Sequence, residues 1–164
     1  MPALDDGAAP PVALRMAIAV LALVGLFIAV YLTLHAFGLT GLVACTTGGG
    51  CERVQSSRFS AIGGVPVALI GAAGYAALFV VAWLGTTPRF ATGARLPRLL
   101  LALAFIAFAF SAYLTALEAW VIHAWCPYCV TSAILATLIF LLSLGELRML
   151  RRRPGGRISR STNP

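Results

Sequence analysis

Four cysteines carry the reactive chemistry available to this chain of 164 residues. Two stand as Cys126-Pro127-Tyr128-Cys129 in "HAWCPYCVTS", and two as Cys45 and Cys51 in "CTTGGGC". Two cysteines separated by two residues serve dithiol redox chemistry or half of a metal site. At the start of a helix such a pair is activated, because the N-terminal amides lower the pKa of the first thiol. Pro127 suits a first helical turn, where a missing N–H costs nothing, and Cys129 then sits deeper, within reach of a lipid-dissolved electron carrier. The glycines between Cys45 and Cys51 predict a pair able to move. Exchange of disulfides proceeds through mixed disulfides, one contact at a time. A movable pair that meets a partner dithiol and then a fixed pair makes a relay.

The elements that must position these thiols are membrane helices. The chain is 60% hydrophobic and 10% charged, with mean hydropathy +0.95, whereas a water-soluble domain carries about 25% charged residues. Four apolar stretches stand out: Met16–Phe37, Val65–Leu84, Leu99–Ile122 and Val130–Leu147. At about 1.5 Å per residue each crosses a hydrocarbon core of roughly 30 Å, and spanning segments must satisfy their own backbone as helices. All 12 basic residues are arginines, and they flank the apolar runs. With the N-terminus inside, ten arginines lie inside and only Arg53 and Arg58 outside. The net charge of +7 therefore reads as a topology signal and not as a nucleic-acid surface. Both termini are expected in the cytoplasm and all four cysteines outside, where disulfides persist.

This frame narrows the chemistry. A C-P-Y-C also occurs in soluble glutaredoxins, but there it follows a strand of a small soluble domain, which this sequence lacks. Zinc is disfavoured, since C-x5-C is not a usual ligand spacing and the compartment is oxidising. "LVAC" at Leu42–Cys45 looks like a lipoprotein cleavage box, but the leader would be far longer than the usual roughly 15–30 residues. Two structural disulfides stapling the outer loops are the bland alternative. Within the first outer loop, Gly38–Gly64, the stretch "VQSSRFSAI" is read as a short interfacial helix presenting Val54, Phe59 and Ile62 to lipid or protein.

A few polar residues also invite a role. Glu118 is ionisable inside a span and precedes Cys126 by eight residues, which makes it a functional candidate. His123 stands three residues before Cys126 and is placed to stabilise a thiolate or pass a proton. His35 is a weaker candidate near the outer end of the first span. Trp120 and Trp125 read as interfacial aromatics, and the arginine tail as an anchor with affinity for anionic lipid.

Three blocks in order resemble the vitamin K epoxide reductase family in its bacterial form, and the resemblance runs from Met16 to Leu147. They are "CERVQSSRF" at Cys51–Phe59, "GGVPVALIGAAGY" at Gly63–Tyr75, and "AYLTALEAWVIHAWCPYC" ending at Cys129. The resemblance implies a four-transmembrane-helix bundle with a quinone near its outer end. It implies that Cys45 exchanges with the partner, that Cys51 exchanges with Cys126, and that Cys129 reduces the quinone. It further implies that Ser57 supports the loop and the quinone site, and that Val54 and Phe59 help wall the pocket. The C-x5-C spacing is that of bacterial members, and "CVTSAIL" lacks the tyrosine of the animal enzymes. Ubiquinone or menaquinone is therefore expected in place of vitamin K epoxide. DsbB-type quinone reductases carry their two pairs in the reverse order.

The expected protein is an all-α membrane protein: a cytoplasmic segment 1–15, a catalytic bundle 16–147 and a basic cytoplasmic tail 148–164. It is expected in the bacterial inner membrane, where it reoxidises a separate thioredoxin-fold protein of the DsbA kind and passes the electrons to a quinone. Reduction of vitamin K epoxide or of quinone as an end in itself, and a non-catalytic scaffold with structural disulfides, are the alternatives.

Overall fold

A computed structural model describes residues 10–41, 50–87 and 95–152. Cys45, Arg89 and the end of the basic tail lie outside the described residues. Four long helices dominate: α1 (Pro10–Ala36), α3 (Val67–Leu84), α4 (Arg95–Leu117) and α5 (Pro127–Arg152). A short helix α2 (Gly50–Gln55) and a hairpin of β1 (Ala61–Ile62) and β2 (Val65–Pro66) lie between α1 and α3. A π-helical turn, Glu118–Ile122, continues α4.

All four long helices are long and apolar enough to cross a membrane, and the expected all-α bundle is what is found. Their outward faces carry exposed Phe27, Val80, Ile106 and Leu141. Water does not tolerate so broad an apolar surface, whereas a lipid bilayer does. Around the bundle the neighbour order is α1, α3, α4, α5, with α1 against α3 the most extensive contact and α3 against α4 the slightest. Ile18, Ala22, Leu78, Ala82, Leu100, Ala104 and Ile139 form the core. Small residues let the backbones approach, as membrane helix packing requires. Gly25 is the clearest case, because a Cβ there would overlap the ring of Tyr75. Tyr75 in turn ties α3 to α5, its hydroxyl 2.8 Å from both the carbonyl oxygen and Oγ of Ser132.

The short helix forms earlier than expected. It covers Gly50–Gln55, and most of "VQSSRFSAI" is a turn running into the hairpin. The hydroxyls explain the stop. Ser57 Oγ donates to the Val54 carbonyl at 2.7 Å, and such local bonds compete with helix continuation. Gly63 and Gly64 have φ of 59° and 84°, the pair of positive values that a two-residue primed hairpin turn needs. Ala61 thus pairs with Pro66, and Ile62 with Val65.

At the bundle end remote from Cys126 and Cys129, Arg15 is buried rather than a surface flank. Its Nε donates to Glu146 Oε1 at 2.6 Å, and its Nη1 donates to the Gly85 carbonyl. One side chain thereby joins the start of α1, the end of α3 and the end of α5.

Candidate functional site

The site is built where α4 gives way to α5. The π-turn widens the last turn of α4, and π-turns of this kind recur at functional positions. His123 then adopts φ 52° and ψ 38°, the left-handed conformation that ends a helix. The Glu118 carbonyl accepts from the His123 and Ala124 amides, the latter at 3.3 Å. The chain thus doubles back, and Cys126 enters α5 at its N-cap position, its carbonyl accepting from Val130 at 2.9 Å. Pro127 is the first residue of α5, as its missing N–H favours.

This reversal folds the Glu118 side chain back onto the thiols. Glu118 is 3% exposed. Its Oε2 accepts from the Cys126 amide at 3.1 Å, and its carboxyl also hydrogen-bonds the Cys129 side chain. Cys126 and Cys129 are free thiols, the first buried and the second half-buried. The Cys129 side chain hydrogen-bonds the Cys126 sulfur and lowers the Cys126 pKa below that of an ordinary thiol, against burial and the nearby Glu118 charge. The first cysteine of the motif is therefore the readier thiolate.

Cys51 is held in a disulfide and is fully buried. The start of α2 lies against the strap that precedes Cys126: a Cβ on Gly50 would overlap the Trp125 carbonyl oxygen. The chain neighbour of Cys51 thus touches the chain neighbour of Cys126.

A cavity of about 300 Å³ opens beneath these thiols, between α1, α3 and α4, with the turn after α2 closing it. Val54, Ser57, Phe59 and Cys129 all line it, together with Glu118 and Tyr75. Its remaining walls include Ile28, Leu32, Leu103, Ile106, Phe110 and Leu114. An apolar pocket with a few convergent polar groups is the usual form of a small-molecule site. Such a lining fits a flat, lipid-soluble ring, and among the described residues the only sulfur in it belongs to Cys129. The structure thus brings Val54, Ser57, Phe59, Glu118 and Cys129 to one cavity, with Cys126 bonded to Glu118 beside it, while Cys45 lies outside the described residues. His123 is exposed, absent from the cavity lining, and contributes its backbone conformation. His35 is spent locally, its Nδ1 3.2 Å from the Gly41 carbonyl oxygen. Trp120 and Trp125 are exposed at the site's end of the bundle.

Sequence reasoning missed two features. Glu146 belongs to no motif, although a lone carboxyl near the end of an apolar helix, opposite an arginine starting another, is a pairing signal. The role of Gly50 was equally hidden, because the motif's glycines read as a flexible run and not as a contact. Residues 16–144 match the vitamin K epoxide reductase family, a span that holds both cysteine pairs, all of α3 and α4 and most of α1 and α5. The chain belongs to the vitamin K epoxide reductase family and is a multi-pass membrane oxidoreductase.

Proposed function

We propose that this protein oxidises a soluble thioredoxin-fold dithiol of the DsbA kind and passes the two electrons to a membrane quinone. The observation that carries this reading is the placement of Cys129. It is a free thiol, paired with a Cys126 of lowered pKa, and it lines an apolar cavity with Val54, Ser57 and Phe59. A quinone bound there supplies a two-electron acceptor.

The chain's own residues do the rest. A partner thiolate attacks the Cys45–Cys51 disulfide at Cys45, and the second partner thiol resolves the mixed disulfide, leaving the loop pair reduced. Cys51 then attacks an oxidised Cys126–Cys129 pair at Cys126. Cys45 closes the loop disulfide again, and Cys126 and Cys129 are left as thiols. The contact of Gly50 with the Trp125 carbonyl supports this transfer. So does the state described here, with Cys51 oxidised and Cys126 and Cys129 reduced. It corresponds to the step before electrons leave for the quinone. Val54, Ser57 and Phe59 hold the ring and exclude water.

The arginines support the orientation. Arg53 and Arg58 flank the thiol end, whereas Arg15, Arg95, Arg98, Arg148 and Arg151 cluster at the other. In this reading the protein sits in a bacterial inner membrane with both termini cytoplasmic, segments 1–15 and 148–164 flanking one catalytic unit.

The test is quinone absorbance in detergent micelles, with a reduced DsbA-like protein as electron donor. Ubiquinone or menaquinone is expected to be reduced in step with loss of partner thiols, and Cys129→Ala to be inert. A flat quinone spectrum with both quinones sinks the reading. Reduction of vitamin K epoxide with no quinone turnover would make the epoxide the substrate.

A further inference from the structure

The disulfide relay gives Glu118 nothing to do, yet Glu118 is the acidic side chain in the cavity lining. Among the described residues three titratable side chains line that cavity: Tyr75, Glu118 and Cys129. Tyr75 is committed to Ser132 through its hydroxyl. Among the described residues the lining holds no arginine, lysine or histidine. An ionisable group within a membrane span is costly to keep. Accepting one amide proton at a helix start does not call for an acid, since neutral asparagine or serine caps equally well. What an acid adds is the ability to take up a proton. Glu118 touches both cysteines of the motif, the backbone amide of Cys126 at 3.1 Å and the side chain of Cys129, and it faces the cavity as well.

We propose that Glu118 is a catalytic proton carrier between the Cys129 thiol and the cavity. The inference rests on the quinone reading above. When Cys126 thiolate and Cys129 thiol join, one S–S bond forms, one S–H bond breaks, and two electrons and one proton leave. The electron pair goes to the quinone. Reduction to the quinol takes up two protons. One is the Cys129 proton, carried by the Glu118 carboxylate, and the other comes from water at the thiol end, where Cys126 released its own. Glu118 ends ionised, as it began.

The test compares wild type, E118Q and E118D in quinone-stripped micelles. The first readout is thiolate absorbance of the reduced protein against pH, with no quinone present. The titratable groups facing Glu118 are Cys126 and Cys129. E118Q removes a negative charge beside Cys126, so the Cys126 thiolate should form at lower pH. The second readout is a single turnover of reduced protein with added quinone. Here E118Q should be slower by about 100-fold or more, the usual contribution of a positioned acid–base group, and E118D should recover part of the rate. More thiolate with slower oxidation is the signature, because a purely electrostatic role would make E118Q faster. The proposal is overturned if folded E118Q reacts at least as fast as wild type. It is also overturned if E118D is no faster than E118Q, or if E118Q leaves the Cys126 titration in place. A wild-type protein inert to quinone would overturn the parent reading, and this one with it.

Discussion

Among the described residues two carboxylates are buried, one at each end of the bundle, and their partners differ in kind. Glu146 is 1% exposed and meets a guanidinium, with Arg15 Nε at 2.6 Å. Glu118 is 3% exposed and meets the Cys126 amide and the Cys129 thiol. Charge balance explains the first: a buried anion beside a buried cation is tolerated, and the pair fixes which helix ends sit together. The second has no cation among its partners in the described residues, and the role proposed for it is chemical. In that reading the bundle is latched at one end and reactive at the other.

The hardest blow to that contrast is Arg15→Ala. It leaves the Glu146 carboxylate buried without its cation, and breaking such a pair costs roughly 3–5 kcal/mol. The thermal midpoint in micelles should fall well below wild type, while turnover per folded molecule stays unchanged. The double variant Arg15→Ala/Glu146→Ala should be less destabilised than Arg15→Ala alone, because no charge is then stranded. If the double variant is the less stable of the two, the pair is not a latch. Substitution of Glu118 by Gln should give the mirror image: turnover lost and stability nearly kept.

Gly50→Ala separates the two halves of the proposed relay. The added methyl has no room against the Trp125 carbonyl oxygen, and overpacking of this kind costs about 1–3 kcal/mol. The strain falls where α2 meets the strap before Cys126. Turnover driven by a protein dithiol should drop about tenfold, the equivalent of roughly 1.4 kcal/mol. Quinone reduction after direct reduction of Cys126 and Cys129 by a small dithiol should be unaffected. Equal loss in both assays would mean that Gly50 supports the whole site and not the transfer step.

The pH behaviour of Cys126 sharpens the same end. Its pKa lies below that of an ordinary thiol, chiefly because the Cys129 side chain hydrogen-bonds its sulfur. Cys129→Ala removes that bond, so thiolate should appear only at higher pH. The profile of alkylation rate against pH, taken with a small reagent because Cys126 is buried, should move to the alkaline side. An unmoved profile would show that the helix start alone sets the thiolate.

Much of this organisation is legible in the sequence. Length and hydropathy define the spans, since a spanning helix leaves little freedom, and the C-x-x-C followed by proline marks a helix start. Glu118 was legible as a candidate but not as a contact. Along a regular helix, eight residues carry a side chain about 12 Å away at 1.5 Å per residue. Only the π-turn and the left-handed His123 fold it back to the Cys126 amide. Neither has a signature in composition, and histidine with positive φ is uncommon. The helix expected over "VQSSRFSAI" failed for a local reason, because Ser57 and the Gly63-Gly64 turn outcompete a weak interfacial periodicity. The Arg15 latch was hidden because a lone arginine before a span reads equally well as a flank facing water.

The smallest expected effect tests whether the cavity wall is structural between the two ends. Tyr75 fills the space that Gly25 leaves and bonds Ser132 across the bundle. Tyr75→Phe keeps the ring and removes the hydroxyl, a loss of about 1 kcal/mol for a single net hydrogen bond. The Ser132 carbonyl keeps company within α5, so no new orphan of consequence should arise. The variant should melt slightly earlier and reduce quinone at the wild-type rate. A large fall in rate with unchanged melting would transfer the proton-carrying role from Glu118 towards Tyr75, the other hydroxylic acid of that wall. The two buried carboxylates would then both be structural, and the contrast between the ends of the bundle would lie in the thiols alone.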